Sequence, residues 1–590
     1  MSRRVFRLTV SVFVLAWVLA ACAAPPTPSP VPPPPPTSAP PAPTAVPPTV
    51  APPAPTTAPT AAPTAVPPTA TRPAATSTPV GEQPVTGGTL IATYASDLAS
   101  LDPPTALSTM DWGSVALILY NGLYVFDSAN NLVPDLADGM PQVSADRLVY
   151  TIKLKKGVFF HNGRELKAAD VKYSIERNAN PETGSWAATE PASFIVGGKD
   201  ILDKKAKEAS GIQVVDDYTV QFTLTQPYAY FPHSLTQTTN LIVPKEEVEK
   251  WGKDYRFHPV GTGPFKMVEW IPKQKVTFTR NPNYFKKGLP YLDGITFQLG
   301  AAADVSMLRY QRGEVDELAD GIPSADIPTM ATSAQFGKYY IDAPSFLLYF
   351  IGFNLQTPPF DNPKVRQAVG MAIDKKKIIQ LSSGTGVQAA SLYHPLFQCN
   401  NKNAKDPFAY DTAAAKKLLT DAGFGSGITA KAWLRESRAW IARVPESIQQ
   451  DLAAIGVKLE LQQLTAAVGT KALDDGTLPI FATTWGATYP DPSSMVSPVF
   501  LSSAITAKRL RYKNDALDQL IAKAGGTLDE AERCKLWLEA EQIVTKDSPI
   551  IPLAFLGRPT MQSPRLKGLV FNPAFGRPVY EQVWIPKDKQ

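Results

Sequence analysis

The second half of this chain predicts an α/β fold, because capped amphipathic helices alternate there with short apolar strands. Asn362 is a helix-capping residue, and Pro363 occupies the first helical position, where its missing N–H removes no helical hydrogen bond. Behind this cap an apolar stripe follows the spacing of one helix face: Val365, Ala368, Val369 and Ala372. A further helix is predicted over 446–455, ahead of an alternating strand over 457–461.

The first half of the folded region shows strand patterns, followed by one helix. Residues 89–94 form a short run rich in β-branched and aromatic side chains, which predicts a strand. Residues 148–155 alternate apolar and polar side chains, which predicts a half-buried strand. The Asn162-Gly163 pair predicts a hairpin turn, and residues 168–177 predict a helix.

The amino terminus has the organisation of an export signal. Three arginines precede an apolar run over 8–21, which is shorter than the roughly 20 residues that a membrane-spanning helix needs. The small residues before Cys22 resemble a bacterial lipoprotein box, so residues 1–21 are predicted to be a signal peptide and Cys22 the lipidation site. The protein is then exported and anchored on the outer side of the cell membrane. The alternative is an ordinary signal peptide with an incidental cysteine.

Residues 22–86 are predicted to be a disordered tether between this anchor and the folded region. Of the 58 prolines in the chain, 23 lie between residues 25 and 79, and Arg72 is the only charged residue between Cys22 and Glu82. Such a composition buries too little apolar surface to fold and stays extended, with a reach of roughly 170 Å. Recognition of the proline-rich segment by a partner is the competing interpretation.

Charge and cysteine content narrow the possible functions. The formal net charge is +5, and most of it comes from four arginines in residues 1–80, so no nucleic-acid-binding face is predicted. About 500 residues remain for folding, enough for two or three domains. Cys399 and Cys534 remain after Cys22 and form a possible disulfide in an exported protein; the sequence leaves their pairing open.

Patterns typical of enzymes and metal sites are absent from the sequence. None of the four histidines lies three or four residues from another, and no cysteine or carboxylate set has metal-ligand spacing. The chain has neither a GxxxxGK[ST] phosphate loop nor a G-x-S-x-G elbow. We therefore predict a protein that is not an enzyme and needs no cofactor and no metal.

A series of motifs carries a resemblance to a known family. Residues 117–178 contain a GLY segment, a PxLA turn, the KGVFFHNG hairpin and an AADVKYS helix in that order. FNLQTPPFDNPKVRQAV from residue 353 and WGATYPDP at 485–492 continue the series. Together these motifs resemble the family 5 solute-binding proteins of ABC importers, the peptide- and nickel-binding type, over essentially all of 87–590.

This resemblance implies a fold of the periplasmic-binding-protein type (cluster C), with two lobes, an additional domain and a ligand cleft between the lobes. Domain I is expected from 87–121, 219–345 and 556–590, domain II from 122–218, and domain III from 346–555. The expected protein is a monomer that closes on a small-molecule or peptide ligand. It then docks on the permease of an importer whose ATPases supply the energy. A ligand-sensing lipoprotein is the alternative, and a secreted hydrolase a more distant one.

The loop from Trp485 to Pro492 is the most informative candidate for ligand binding. It places aromatic side chains beside a carboxylate and two prolines, which suits a rigid amphipathic cleft wall, although a structural turn is the other interpretation. Peptide-binding members of the family resemble one another in having an aspartate three residues after this tryptophan, where it receives the ligand's ammonium group. This chain has Thr488 there. Predicted ligand contacts in this loop are Trp485, Thr488, Tyr489 and Asp491.

A neutral hydroxyl at residue 488 cannot compensate a buried cation, so an oligosaccharide or another polar neutral solute becomes a realistic ligand. Ligands of open α/β sheets bind beyond the carboxyl ends of strands. On that ground Arg438 and Trp440, and likewise Tyr94 and Asp97, are further candidates. The family's FN segment adds Asn354. Trp440, Trp485 and Tyr489 offer rings on which a sugar could stack.

Overall fold

The computed structural model confirms an α/β protein in which mixed sheets are covered by helices. Among the described residues, no helix combines the length and the apolar character needed to cross a membrane. The predicted signal peptide, Cys22 and nearly all of the predicted tether fall outside the described part of the chain. The structure describes residues 82–106, 115–400, 404–435, 441–572 and 577–590.

The strands are short and are distributed along the whole described chain. They are β1 (Thr89–Tyr94), β2 (Tyr124–Phe126), β3 (Leu132–Pro134), β4 (Gln142–Val143), β5 (Val149–Lys153), β6 (Ile212–Asp216), β7 (Thr219–Thr223), β8 (Phe265–Ile271), β9 (Lys275–Arg280), β10 (Gly294–Leu299), β11 (Glu317–Leu318), β12 (Tyr340–Ala343), β13 (Leu347–Phe353), β14 (Val387–Gln388), β15 (Ile428–Leu434), β16 (Val457–Leu461), β17 (Ile480–Gly486), β18 (Ile550–Phe555), β19 (Arg558–Met561), β20 (Val570–Asn572) and β21 (Arg577–Val579).

The helices are concentrated between residues 363 and 547. They are α1 (Ala116–Leu119), α2 (Ala168–Ala179), α3 (Gly198–Leu202), α4 (Phe231–Ser234), α5 (Lys245–Trp251), α6 (Ala303–Gln311), α7 (Ile327–Thr332), α8 (Pro363–Ala372), α9 (Lys375–Leu381), α10 (Thr412–Asp421), α11 (Val444–Ala453), α12 (Ala466–Asp475), α13 (Ser493–Phe500), α14 (Ile505–Leu510), α15 (Asp515–Gly526) and α16 (Glu530–Asp547).

A five-stranded sheet has the order β11-β1-β10-β9-β8. β1 runs parallel to both β10 and β11, with Thr89 opposite Gly294 and Tyr94 opposite Leu299. β9 is antiparallel to its two neighbours, so β8 again runs in the direction of β1. The carboxyl ends of β1, β8, β10 and β11 therefore lie along one edge of this sheet.

A six-stranded sheet has the order β14-β18-β13-β17-β15-β16 and carries a large apolar core. β15 is parallel to β16 and β17, whereas β13 is antiparallel to β17 and β18. The carboxyl ends of β15, β17 and β18 and the start of β13 consequently share one edge. Cys399 and Cys534 form a disulfide that joins the loop after β14 to α16, with an S–S distance of 2.05 Å.

A four-stranded antiparallel sheet has the order β4-β5-β7-β6. The expected limit between domains I and II, at residue 219, divides the β6–β7 hairpin, because β7 pairs with both β5 and β6. A boundary inside a hairpin would break the ladder that holds both strands. We therefore propose that domain II extends to at least Thr223.

The five- and six-stranded sheets are linked by an antiparallel ribbon of β12 and β19. Ala343 pairs with Arg558 at the end of the ribbon nearer to β13. At the other end Gln562 forms a bridge with Glu317 of β11. Two chain crossings therefore run side by side between the two sheets, which is the arrangement that a hinge between two lobes requires.

Candidate functional site

The common edge of the six-stranded sheet brings two predicted site segments together. The Arg435 N–H donates to the Ala482 carbonyl over 3.1 Å, so the chain leaves β15 beside β17. Beyond β17 the Ala487 N–H donates to the Phe346 carbonyl, again over 3.1 Å, which fixes the following loop to the start of β13. Because β15 and β17 are parallel, the segments that follow both strands emerge on the same side.

Trp485 and Thr488 are the partly exposed members of this loop. Trp485 is the second-last residue of β17 and pairs with Leu348 of β13. Its indole N–H donates to the Ser494 carbonyl over 3.1 Å. This hydrogen bond fixes the ring plane and uses the only polar atom of the side chain. What remains accessible at the Trp485 side chain is therefore apolar surface.

Tyr489 and Asp491 are buried rather than open to a cleft. Their exposed fractions are 1% and 2%. One Asp491 carboxylate oxygen accepts the Ser493 N–H over 2.8 Å, and the other lies 3.8 Å from Nε of Arg533. Burial raises the pKa of Tyr489 far above its ordinary value, and the charge of nearby Glu190 adds to this effect. The Asp491 carboxylate is thus engaged inside the protein.

The residues that face Tyr489 come from a segment before and within α4. Tyr489 stacks on Tyr230 with ring centroids 6.4 Å apart and an interplanar angle of 24°, and its ring lies 6.0 Å from His233. The Ala229 N–H donates to the Gly525 carbonyl over 2.6 Å beside these rings. Residues of the six-stranded sheet's loops therefore contact the apolar cluster of the four-stranded sheet.

This contact was not predicted from the sequence. Its one signal is the density of rings in the YAYFPH run at 228–233, which sequence reasoning left unused. Histidine and tyrosine rings pack equally well in ordinary cores, so the run alone does not identify an interface.

Asp97 has a structural role in the five-stranded sheet. Its carboxylate oxygens accept the Trp270 indole N–H over 3.0 Å and the Lys273 backbone N–H over 2.9 Å. Asp97 therefore fixes the loop after β1 to the end of β8 and to the β8–β9 turn. Tyr94 is nearly buried at the end of β1, where its carbonyl accepts the Gly300 N–H. Neither residue is brought next to Trp485 by a described contact.

Asn354 lies at the wrong end of β13 for a contact with the Trp485 loop. Its backbone N–H donates to Pro479, just before β17, and its side-chain amide donates to the Gly476 carbonyl over 3.0 Å. Phe346, which touches the loop, precedes the opposite end of the same strand. Seven residues of strand separate the two positions, on the order of 20 Å.

Two further predicted residues cannot be placed, since Arg438 and Trp440 lie outside the described residues. Within the described ranges, no three histidine, cysteine or acidic side chains gather as they would around a metal ion. The described site is thus an aromatic and hydroxyl-bearing loop at a sheet edge, backed by a buried acid–arginine pair.

Comparison with known proteins gives a consistent set of relatives. The sequence profile of the bacterial extracellular solute-binding proteins, family 5 Middle, matches residues 131–507. The glutathione-binding protein GsiB of Pectobacterium atrosepticum is 31% identical over 493 residues, which cover 82% of this chain and 91% of that protein.

Two solved structures extend the comparison to the fold. HbpA2 from Haemophilus parasuis aligns with a TM-score of 0.74 and 27% identity, over 84% of this chain and all of that chain. The periplasmic binding protein DppA from Helicobacter pylori, in complex with the peptide STSA, aligns with a TM-score of 0.69 and 26% identity, over 85% of this chain and 99% of that chain.

Proposed function

This chain belongs to the bacterial extracellular solute-binding proteins of family 5, and on that premise we propose that it captures a solute between two lobes and delivers it to the permease of an ABC importer. The ribbon of β12 and β19 between the five- and six-stranded sheets supports this role, because it offers a hinge between two lobes. Solute contacts made better in the closed form than in the open form would drive closure. The closed, loaded protein then docks on the permease.

The proposed location is the outer side of the cell membrane, with lipid at Cys22 and residues 22–86 as the tether. Support comes from the apolar run before Cys22 and from the proline-rich composition after it. The chemistry is capture and release, and no bond of the solute is broken. A lipoprotein that reports its ligand to a receptor is the competing role; permease and ATPase genes beside its own would favour import.

We propose that the solute is not held mainly through a free peptide amine. The single observation that carries this proposal is the state of the two positions that could supply the carboxylate. Residue 488 is a threonine, and Asp491 is buried against Arg533. A buried ammonium group without a counter-charge is strongly unfavourable. A polar neutral solute such as an oligosaccharide avoids that penalty and suits the apolar face of Trp485.

Peptides are the second candidate, because relatives favour them. GsiB is a glutathione-binding protein, and DppA was solved with a bound tetrapeptide. A peptide in this chain would need another acid near the site, or recognition through its backbone and side chains alone. The two candidates therefore differ in where the positive charge of the solute would go.

Mass spectrometry of what the natively purified full chain releases on denaturation tests the proposal. A neutral solute in stoichiometric amount supports it. Stoichiometric peptides with free amino termini overturn the ligand class and leave the role in solute capture intact. An empty protein is then titrated with defined tripeptides and with oligosaccharides, and binding of peptides alone overturns the ligand class in the same way.

A matched pair of substitutions at residue 488 tests the determinant itself. Thr488→Asp places a carboxylate where peptide binders have one, and Thr488→Asn has the same shape without the charge. A charge-assisted hydrogen bond contributes about 1.5–3 kcal/mol, so Thr488→Asp should gain at least about tenfold in tripeptide affinity over Thr488→Asn. Equal affinities of the two variants by calorimetry would show that residue 488 does not decide between amines and neutral solutes.

A further inference from the structure

His233 lies at the contact between the loops of the six-stranded sheet and the cluster of the four-stranded sheet. Its ring is 5.7 Å from Phe126 on its own side and 6.0 Å from Tyr489 on the opposite side. Nδ1 is shielded from solvent and has no hydrogen-bond partner among the described residues, whereas the side chain as a whole is only partly buried. An imidazole in this position loses contact with water when the loops of the six-stranded sheet pack against it.

The charged groups facing His233 come from two elements of the opposite side. Asp491, in the loop before α13, attracts a proton on the imidazole, and Arg533 of α16 repels it. These two groups lie 3.8 Å apart and act on the imidazole in opposite directions. A further buried acid at this contact is Glu190, whose carboxylate accepts the Gln237 amide over 2.5 Å and acts on Tyr489.

We propose that His233 links closure of the two lobes to the loss of a proton, so that acid opens the molecule and releases its solute. The proposal rests on the two-lobed capture proposed above. It adds a control that solute contacts alone do not provide, since the proposal takes the contact around Tyr489 to be one that opening breaks.

The direction follows from the two environments of the ring. In an open form that exposes the ring to water, we expect the pKa of His233 to lie nearer its ordinary value of about 6.5. In the closed form burial lowers the pKa of His233, Asp491 offsets part of the decrease, and Arg533 adds to it. The closed form therefore binds fewer protons, and it is disfavoured as pH falls below about 6.5. At one unit below that value the ratio of closed to open molecules falls by at most about tenfold.

Protonation of Glu190 affects closure in the opposite direction, so its effect has to be distinguished from that of His233. Burial raises the pKa of Glu190, and the hydrogen bond from Gln237 offsets part of that rise. A carboxyl whose pKa is raised in the closed form favours closure as it becomes protonated, from somewhat above its ordinary pKa of about 4.5 downwards. Its contribution therefore reduces the effect of His233 at the acid end of the range.

The test measures the distance between the lobes in the full chain without added solute. Nitroxide labels are placed at Val215→Cys in β6 and Val468→Cys in α12, whose side chains are 57% and 55% exposed. Pulsed electron paramagnetic resonance then gives the populations of the closed and open distances from about pH 7.5 to about pH 5.5. We expect the closed-to-open ratio of the parent chain to fall as the pH is lowered, by at most about tenfold.

Two variants assign that change to one residue. His233→Gln should remove the dependence on pH, and Glu190→Gln should leave or enlarge it. An unchanged decrease in His233→Gln, or a ratio independent of pH in the parent chain, overturns the proposal. A single distance at every pH, even with the co-purified solute, would instead overturn hinge closure and with it the proposed function. Carbon-13 NMR of the imidazoles in the parent chain gives a second readout, in which His233 should titrate below the ordinary value in the solute-bound form.

Discussion

Distant segments of the chain are joined in different ways around the five-stranded sheet and within the continuous part from 346 to 555. Around the five-stranded sheet, arginine pairs with buried carboxylates join segments that are far apart in sequence, in one case to the neighbouring helix α2. Asp102 and Arg177 form a two-pronged pair with distances of 2.6 and 2.7 Å. Asp316 and Arg565 form another over 2.6 and 2.9 Å, across 249 residues.

In the continuous part, long connections are made by other means than two-pronged arginine–carboxylate pairs. The buried ion pair of Lys375 and Asp406 spans only 31 residues. Buried Arg366 donates to the backbone carbonyls of Phe360 and, 182 residues away, of Ser548. The disulfide between Cys399 and Cys534 spans 135 residues.

The difference has a physical reason. Apolar contacts are not directional, whereas a two-pronged arginine–carboxylate pair has one favourable geometry. A sheet assembled from three separate segments benefits from contacts that accept only one arrangement of those segments. A continuous segment folds next to itself and does not need this selection. Three substitutions, in order of expected effect, test the comparison.

The largest loss is expected from Arg177→Met. Methionine keeps most of the apolar bulk of the side chain but leaves the buried carboxylate of Asp102 without its partner. Breaking a buried pair in this way lowers the free energy of unfolding by about 3–5 kcal/mol. Denaturant unfolding of the variant measures the loss. The double variant with Asp102→Asn is the control and should recover a large part of it; no recovery would mean that packing, not charge, explains the loss.

Removal of the disulfide should have an intermediate effect. The double substitution Cys399→Ser and Cys534→Ser removes the cross-link, so the unfolded chain gains conformational entropy. Stability should fall by about 2–4 kcal/mol. Hydrogen exchange should place the new openings in α16 and the loop after β14, with the five-stranded sheet unchanged. Faster exchange in β1 and β10 would show that the disulfide also stabilises the five-stranded sheet, which would contradict this comparison.

The smallest loss is expected from Asp411→Ala. The Asp411 carboxylate caps α10 by accepting the Ala414 N–H over 2.9 Å. Loss of such a cap reduces stability by about 1 kcal/mol. Asp421→Ala, at the other end of α10, removes only an exposed pair with Lys417 and should cause no measurable change in the same unfolding experiment.

Local patterns were sufficient for most of the fold. The predicted strand over 89–94 is β1 at the same residues, and Asn362 caps α8 by accepting the Lys364 N–H. The helix predicted over 446–455 is α11, two residues earlier at each end. These features depend on side chains within one turn or one strand, so the sequence displays them directly. The family resemblance, which the comparisons confirm, supplied the fold type, with two lobes and a ligand cleft.

The site was predictable only in part. The sequence identified the Trp485 loop and the segment after β15 as candidates, and the structure places the ends of β15 and β17 at one sheet edge. The roles of Asp97 and Asp491 were not predictable, because their partners are distant in sequence. Trp270 is 173 residues from Asp97, and Arg533 follows Asp491 by 42 residues on a separate helix. A carboxylate engaged by a remote donor looks the same in the sequence as one that is free to bind a ligand.

The way the chain joins the five-stranded sheet has a consequence for how a tethered protein would be oriented. Thr86 accepts a hydrogen bond from the side chain of Gln590, and the chain continues directly into the amino end of β1. The carboxyl end of that strand lies at the opposite edge of the sheet, about 20 Å away. If residues 22–86 form the proposed tether, it joins the folded part at Thr86, next to the amino end of β1. The carboxyl ends of β1, β8, β10 and β11 then lie at the opposite edge of the sheet from the point of attachment.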